Sequence, residues 1–217
     1  MSAPLLKLTG VTKRFGGLTA VNAVSTHVDA GEIVSIIGPN GAGKTTLFNM
    51  ISGVLPPSAG RIELEGRDLA RVAPHDYVRH GIGRTFQNLA LFKHGTVVDN
   101  ILVGRHWRMK TSLIEAVFHF GRPRREEIAA RERAEEIIEF LEIETIRDKV
   151  VGTLSYGQQK RVELGRALAT DPKLLLLDEI VAGMNQEETE DIARFILDIR
   201  DELGVSILMI EHDMHLV

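Results

Sequence analysis

The 217-residue sequence predicts an α/β fold with a mainly parallel sheet, an N-terminal antiparallel β layer and an inserted helical subdomain. Three observations predict it. The runs Ile33 to Ile37, Leu174 to Leu177 and Val205 to Ile210 are almost wholly apolar, as strands covered on both faces of a parallel sheet are. Leu5 to Val11, Val21 to Val28 and Arg61 to Glu65 read instead as short strands of an antiparallel layer. Between Gly104 and Glu136 the character becomes basic and helical, which marks an insertion on the sheet core.

The elements follow in order. Gly16-Gly17, Asp29-Ala30-Gly31 and Pro56-Pro57-Ser58-Ala59-Gly60 supply the turns between the early strands. After the Ile33 run comes Gly38-Pro39-Asn40-Gly41-Ala42-Gly43-Lys44-Thr45, followed by the helix-compatible Thr46 to Ile51. In the insertion, Arg105, Arg108, Lys110, Arg122, Arg124, Arg125, Arg131 and Arg133 surround the apolar Leu113, Ile114, Val117 and Phe118. Glu115, Glu126, Glu127 and Glu132 neutralise part of this charge, so the run reads as a solvated helix surface, broken at Gly121-Arg122-Pro123. Ala134, Ile137, Ile138 and Leu141 repeat at helical spacing. So do Ile192, Phe195, Ile196 and Ile199, behind an acidic first turn at Glu187 and Glu188.

Composition narrows the function classes. A net charge of −4 argues against a dedicated nucleic-acid binder. The absence of cysteine excludes disulfides and thiolate metal sites. The N-terminus lacks the apolar stretch of a secretory signal, and no window reaches the roughly 18 apolar residues of a spanning helix. Any link to a membrane therefore runs through a partner.

The segment Gly38 to Thr45 has the form G-x-x-x-x-G-K-T between a buried-type strand and a helix, the context of a phosphate-cradling loop and hence of a P-loop NTPase core. Glycines let amide groups turn around an anion, and the helix that follows points its positive end at the same place. Gly38, Pro39, Asn40, Gly41, Ala42, Gly43, Lys44, Thr45 and Thr46 are the candidate nucleotide contacts. Lys44 brings charge to the outer phosphates, and the Thr45 hydroxyl suits Mg²⁺. Asp178 and Glu179 end an apolar strand, at the sheet edge where the phosphate loop also sits. Asp178 is suited to hold Mg²⁺ and Glu179 to polarise an attacking water. Ser155, in Leu154-Ser155-Tyr156-Gly157-Gln158, occupies a helix N-cap position, and the glycine near it opens the backbone to an anion.

Taken together, these motifs resemble the ATP-binding cassette (ABC) ATPases over essentially the whole chain, in the family's order. The phosphate loop lies at 38–45, the glutamine loop at Gln87, the signature at 154–158, the carboxylate strand at 174–179 and the switch histidine at His212. The resemblance implies that Phe15 stacks on adenine and that Gln87 meets Mg²⁺ or the γ-phosphate and senses a membrane partner. It implies that His212 contacts the γ-phosphate as a catalytic residue beside Glu179, and that Ser155, Gly157 and Gln158 contact the ATP of a second subunit. Two copies, identical or related, then pair head to tail around ATP and Mg²⁺. Helical subdomain and core are expected at about 87–166 and at 1–86 with 167–217. The string Gly81 to Gln87, Tyr156 in the signature and Ala182-Gly183-Met184-Asn185 resemble the branched-chain amino-acid importer branch.

That branch implies transmembrane permease subunits, an indirectly coupled periplasmic or surface solute-binding protein, no nucleic acid, and a peripheral place on the cytoplasmic face of the cell membrane. A groove near Gln87 to Val98, around Leu89-Ala90-Leu91-Phe92, would receive a permease helix, or that cluster would pack internally. The alternatives are a soluble ABC ATPase of nucleic-acid or ribosome metabolism and a low-turnover regulatory module. The single cassette disfavours the first. Retention of Lys44, Asp178, Glu179 and His212 disfavours the second. The sequence departs from the family pattern in three places. Ile180 stands where proline is common and should leave the next loop less constrained. Asn185 stands at a common aspartate position. Family members continue well beyond the position of Val217, five residues past His212, which implies a shortened chain.

Overall fold

The structure, a computed structural model, describes residues 3–85, 89–108 and 122–211. Its strands are β1 Leu6–Phe15, β2 Leu18–Val28, β3 Ile33–Ile36, β4 Ala59–Leu64, β5 Arg67–Asp68, β6 Ile82–Arg84, β7 Leu174–Asp178 and β8 Ser206–Ile210. Its α-helices are α1 Lys44–Ile51, α2 Val97–Arg105, α3 Arg122–Phe140, α4 Tyr156–Leu168 and α5 Gln186–Asp201. They fall into two compact units, Met1–Gln87 with Lys173–Val217, and Asn88–Pro172.

The first unit carries both sheets. One is antiparallel in the order β2-β1-β4-β5, and the other is parallel in the order β3-β8-β7-β6. β1 continues past Val11 to Phe15 through bulges around Gly10 and Thr12, whose register shifts hide the strand's length from simple alternation. Leu6, Leu8, Val11, Phe48, Met50, Ile51, Leu174, Leu176, Leu208 and Ile210 close one core between the layers. Leu175, Leu177, Ile207 and Met209 point to the opposite sheet face, as strand alternation requires, and are buried as well. α5 packs against β8 and buries Ile192, Phe195, Ile196 and Ile199.

The run at Ile33 differs from expectation. β3 is only half-buried throughout, and Ile37 beyond it is 55% exposed. Among the described residues β3 is an edge strand that pairs with β8 alone, and a cleft of about 660 Å³ borders Val34, Ser35, Ile36 and Ile37. An apolar run establishes burial potential, not a central place in the sheet. β6, three residues long, was embedded in a glycine-rich string and carried no strand signal of its own.

In the second unit α2 packs on α3 and α4. The crossing of α2 with α4 is so close that a Cβ at Gly104 would lie 2.3 Å from the Arg166 carbonyl oxygen. Ala134, Ile137, Ile138 and Leu141 are buried as their spacing predicts. Pro123 sits in the first turn of α3, where a missing amide costs nothing, so Arg122-Pro123 opens this helix. Residues 109–121, including Lys110, Leu113, Ile114, Glu115, Val117 and Phe118, lie outside the described residues.

Part of the basic run is not a solvated surface. Arg105 is buried, bonded to the Ala169 carbonyl oxygen and to Asp171, and Arg108 and Arg133 reach the same carboxylate at 3.1 and 3.0 Å. Burial works to raise the Asp171 pKa. The bonds from Arg105 and Arg133 and the charges of Arg105 and Arg108 outweigh it, so the carboxyl lies below its ordinary value. A depressed carboxylate stabilises the fold at neutral pH and loses that contribution as pH falls below about 4. Asp171→Asn is expected to destabilise the protein by about 1.5–3 kcal/mol at pH 7, with the difference from wild type shrinking toward pH 3. Urea unfolding at both pH values checks this.

Candidate nucleotide site

The parallel sheet aligns the site by register. Ile36 pairs with Ile210 and Ile210 pairs with Asp178, so three strands end in one row. With strands about 4.8 Å apart, the chain leaves β3 and β7 at points about 10 Å from each other on the carboxyl edge.

The phosphate loop leaves β3 and ends at Gly43, the N-cap of α1. Gly43 has φ 86°, and a Cβ there would lie 2.3 Å from the Ala20 carbonyl oxygen, so both backbone and space require glycine. Lys44 is buried, and its Nζ donates to the Gly38 and Pro39 carbonyl oxygens at 2.6 and 3.0 Å, inside its own loop. Gly41, Ala42 and Thr45 are exposed at the loop and helix start, and the Ala42 N–H donates to the Pro39 carbonyl oxygen at 3.2 Å. Phe15 ends β1 and is 46% exposed, with Lys13 Nζ over its ring at 5.3 Å from the centroid.

Asp178 is the last residue of β7 and is buried. Glu179 follows, half-buried, with φ 50°, a left-handed conformation that is unusual for glutamate. Its N–H donates to the Ile210 carbonyl oxygen at 3.0 Å. The next amide, of Ile180, donates to Glu211 Oε1 at 3.0 Å, and both residues are buried. The loop is therefore anchored, contrary to the looseness expected from the missing proline: isoleucine supplies an amide that proline lacks. Glu211→Leu would leave that amide unsatisfied and is expected to cost about 1–3 kcal/mol, measurable by thermal unfolding.

Asn185 caps α5. Its Oδ1 accepts from Glu188 N at 2.9 Å, while Glu188 Oε2 accepts from Asn185 N at 3.2 Å. Ser155 caps α4 in the same way, paired with Gln158, and the helix starts at Tyr156. Ser155 and Tyr156 are exposed, whereas Gly157 is buried. Among the described residues the sheet gathers the phosphate loop, Asp178 and Glu179, and the capped signature turn belongs to the other unit. Gln87 and His212 lie outside the described residues.

Two further residues went unassigned in the sequence. Arg84 joins Asp178 to α1, and buried Asn100 bonds Phe92 N and O at 2.8 and 3.1 Å, fixing the segment before α2.

A glycine loop between a parallel strand and a helix, with a carboxylate pair ending a strand of the same sheet, defines a P-loop nucleotide-binding fold. The chain belongs to the ABC transporter family, which it matches over residues 21–182. It is 44% identical over its whole length to the high-affinity branched-chain amino acid transport ATP-binding protein BraF of Pseudomonas aeruginosa, covering 85% of that protein. The ADP conformation of MJ1267, an ATP-binding cassette of an ABC transporter, superposes with a TM-score of 0.85 at 36% identity, over 100% of this chain and 84% of that one. A dimeric post-hydrolysis state of the cassette MJ0796, bound to ADP and Pi, gives 0.80 at 26% identity over 97% and 89%.

Proposed function

We propose that this chain is the ATP-binding and ATP-hydrolysing subunit of an importer for branched-chain or related amino acids, held peripherally at the cytoplasmic face of the membrane. The observation that carries the reading is the shared sheet edge, with the phosphate loop after β3 and Asp178-Glu179 after β7, in a chain 44% identical to a branched-chain transport ATP-binding protein. Among the described residues no helix is long and apolar enough to cross a membrane.

ATP enters with its adenine against Phe15 and its phosphates in the amides of Gly38 to Thr46, where Lys44 exchanges its loop carbonyls for phosphate oxygens. The donor set fits Mg²⁺. Among the described residues no group of three or more His, Cys, Asp or Glu side chains gathers for a metal. The Thr45 hydroxyl and the Asp178 carboxylate are hard oxygen donors, of the number this ion takes when nucleotide and water complete its shell. Gln87 is a third candidate ligand. When bound, the ion neutralises charge on the β- and γ-phosphates. Glu179 accepts a hydrogen bond from the attacking water and draws off its proton, and His212 contacts the γ-phosphate.

A second subunit, identical or related, supplies Ser155, Gly157 and Gln158 head to tail, so that the end of its α4 closes the site over the γ-phosphate. Phosphate loss weakens that bridge and opens the pair. Permease subunits meet the segment around Leu89 to Phe92, whose backbone Asn100 holds while Phe92 stays 60% exposed. A solute-binding protein acts on the far side of the membrane. Deleting the gene in its own organism is expected to abolish high-affinity leucine uptake, with recovery on re-expression. Uptake that persists unchanged would remove the amino-acid part of the proposal.

A further inference from the structure

A largely buried guanidinium is bonded to Asp178 of the proposed metal site. The Arg84 guanidinium, at the end of β6, donates through Nη2 to Asp178 Oδ2 at 3.1 Å and through Nη1 to Asn49 Oδ1 at 2.8 Å and Ser52 Oγ at 2.6 Å. Its side chain is 10% exposed and that of Asp178 is 1% exposed. The guanidinium carbon lies 5.9 Å from the centre of the Phe48 ring, which covers it from α1. Thr45, Asn49 and Ser52 follow one another at i, i+4 and i+7, so they form one polar stripe down the helix that begins at the phosphate loop. Arg84 bridges Asn49 and Ser52 of that stripe to Asp178 at the end of β7, the carboxylate proposed to share a cation with the Thr45 hydroxyl.

We propose that Arg84 is a positioning residue of the metal site. It fixes the Asp178 carboxylate against α1 and offsets its charge, so that nucleotide can enter before Mg²⁺ and the demand for Mg²⁺ is set by this residue. The inference rests on the ATP and Mg²⁺ reading above.

The physical case has two parts. A carboxylate this deeply buried needs a partner, and a planar guanidinium with several fixed donors can hold it while also bonding two groups on a second element, which an ammonium cannot do in the same geometry. An uncompensated Asp178 would also repel the phosphates of metal-free ATP across a low-dielectric gap, where charges act strongly. With Arg84 in place the carboxylate presents little net charge until the divalent ion arrives. The same guanidinium repels that ion, so Mg²⁺ binds less tightly than the carboxylate alone would dictate. Arg84 thus trades Mg²⁺ affinity for metal-free nucleotide binding.

The test is titration of a fluorescent ATP analogue into wild type, Arg84→Met and Arg84→Lys, in EDTA and in saturating Mg²⁺, with thermal unfolding of each apo protein. For Arg84→Met, affinity in EDTA should fall about tenfold or more while affinity in saturating Mg²⁺ falls less than threefold. The Mg²⁺ concentration at half-saturation should drop severalfold. Arg84→Lys keeps the charge and should retain the wild-type ratio between the two conditions, even where lost bonds to Asn49 and Ser52 lower its melting temperature. If Arg84→Met does not fold, Arg84→Gln, which removes the charge and keeps a polar group for Asn49 and Ser52, is read in its place: an unchanged ratio between the two conditions overturns the proposal. Equal weakening in both conditions for Arg84→Met, or none, reduces Arg84 to a packing role and also overturns it. Wild type that binds nucleotide in neither condition overturns the ATP reading itself.

Discussion

Glu179→Gln is expected to lower ATP turnover by about 10²–10⁴-fold while leaving ATP binding within a factor of a few of wild type. Glu179, next in the chain to the buried Asp178, has φ 50° and donates its N–H to the Ile210 carbonyl oxygen. Backbone strain at one residue, anchored by bonds on both sides, marks a side chain whose aim matters. Glutamine has the same shape and the same backbone preferences, so Glu211, Ile180 and Ile210 should keep their bonds and the melting temperature should barely move. What is lost is the ability to take a proton from water. Phosphate release under Mg-ATP, measured with equilibrium ATP binding, checks both halves. Turnover undiminished by the substitution would take Glu179 out of the catalytic role.

Gly43→Ala should have a comparably large effect by a different route. Left-handed backbone alone costs a non-glycine residue about 1–2 kcal/mol. The added methyl carbon would also sit 2.3 Å from the Ala20 carbonyl oxygen and 3.2 Å from the Val21 side chain, and a backbone oxygen in β2 cannot swing aside as a flexible side chain could. Relief requires moving the end of the loop away from β2, and with it the N-terminus of α1 and Lys44. Nucleotide affinity should therefore fall by about 100-fold or more, equivalent to roughly 2.7 kcal/mol. A melting temperature several degrees lower should accompany it. Titration with a fluorescent ATP analogue and a thermal scan measure the two effects. An alanine variant that binds as wild type does would show that the loop tolerates displacement.

The sequence was most legible where a single element carries its own signal. Leu174 to Leu177 read as a buried strand and are fully buried, and Ala134, Ile137 and Ile138 of α3, with Leu141 just beyond it, are buried as their spacing requires. The glycine loop was legible because its backbone demands are local: a left-handed Gly43 and a helix that starts at the next residue. Legibility failed where the outcome depends on residues far apart in the chain. Arg84 meets Asp178 across 94 residues and Arg105 meets Asp171 across 66, so neither pairing leaves a periodic trace. The half-buried β3 failed for a related reason, since its exposure is decided by which strands flank it and not by its own apolar residues. Ile180 shows the limit of arguing from one missing residue type. The absence of proline predicted slack, but the freed amide found the Glu211 carboxylate.

In the proposed function ATP is completed by two subunits, one giving the phosphate loop and the other the capped turn at Ser155. Sedimentation velocity of Glu179→Gln, with Mg-ATP and then with Mg-ADP, tests it most directly, because the substitution stops the reaction with the γ-phosphate in place. A dimer holding one ATP per protomer is expected in the first case and monomers in the second. A chain saturated with Mg-ATP that sediments as a monomer would contradict it.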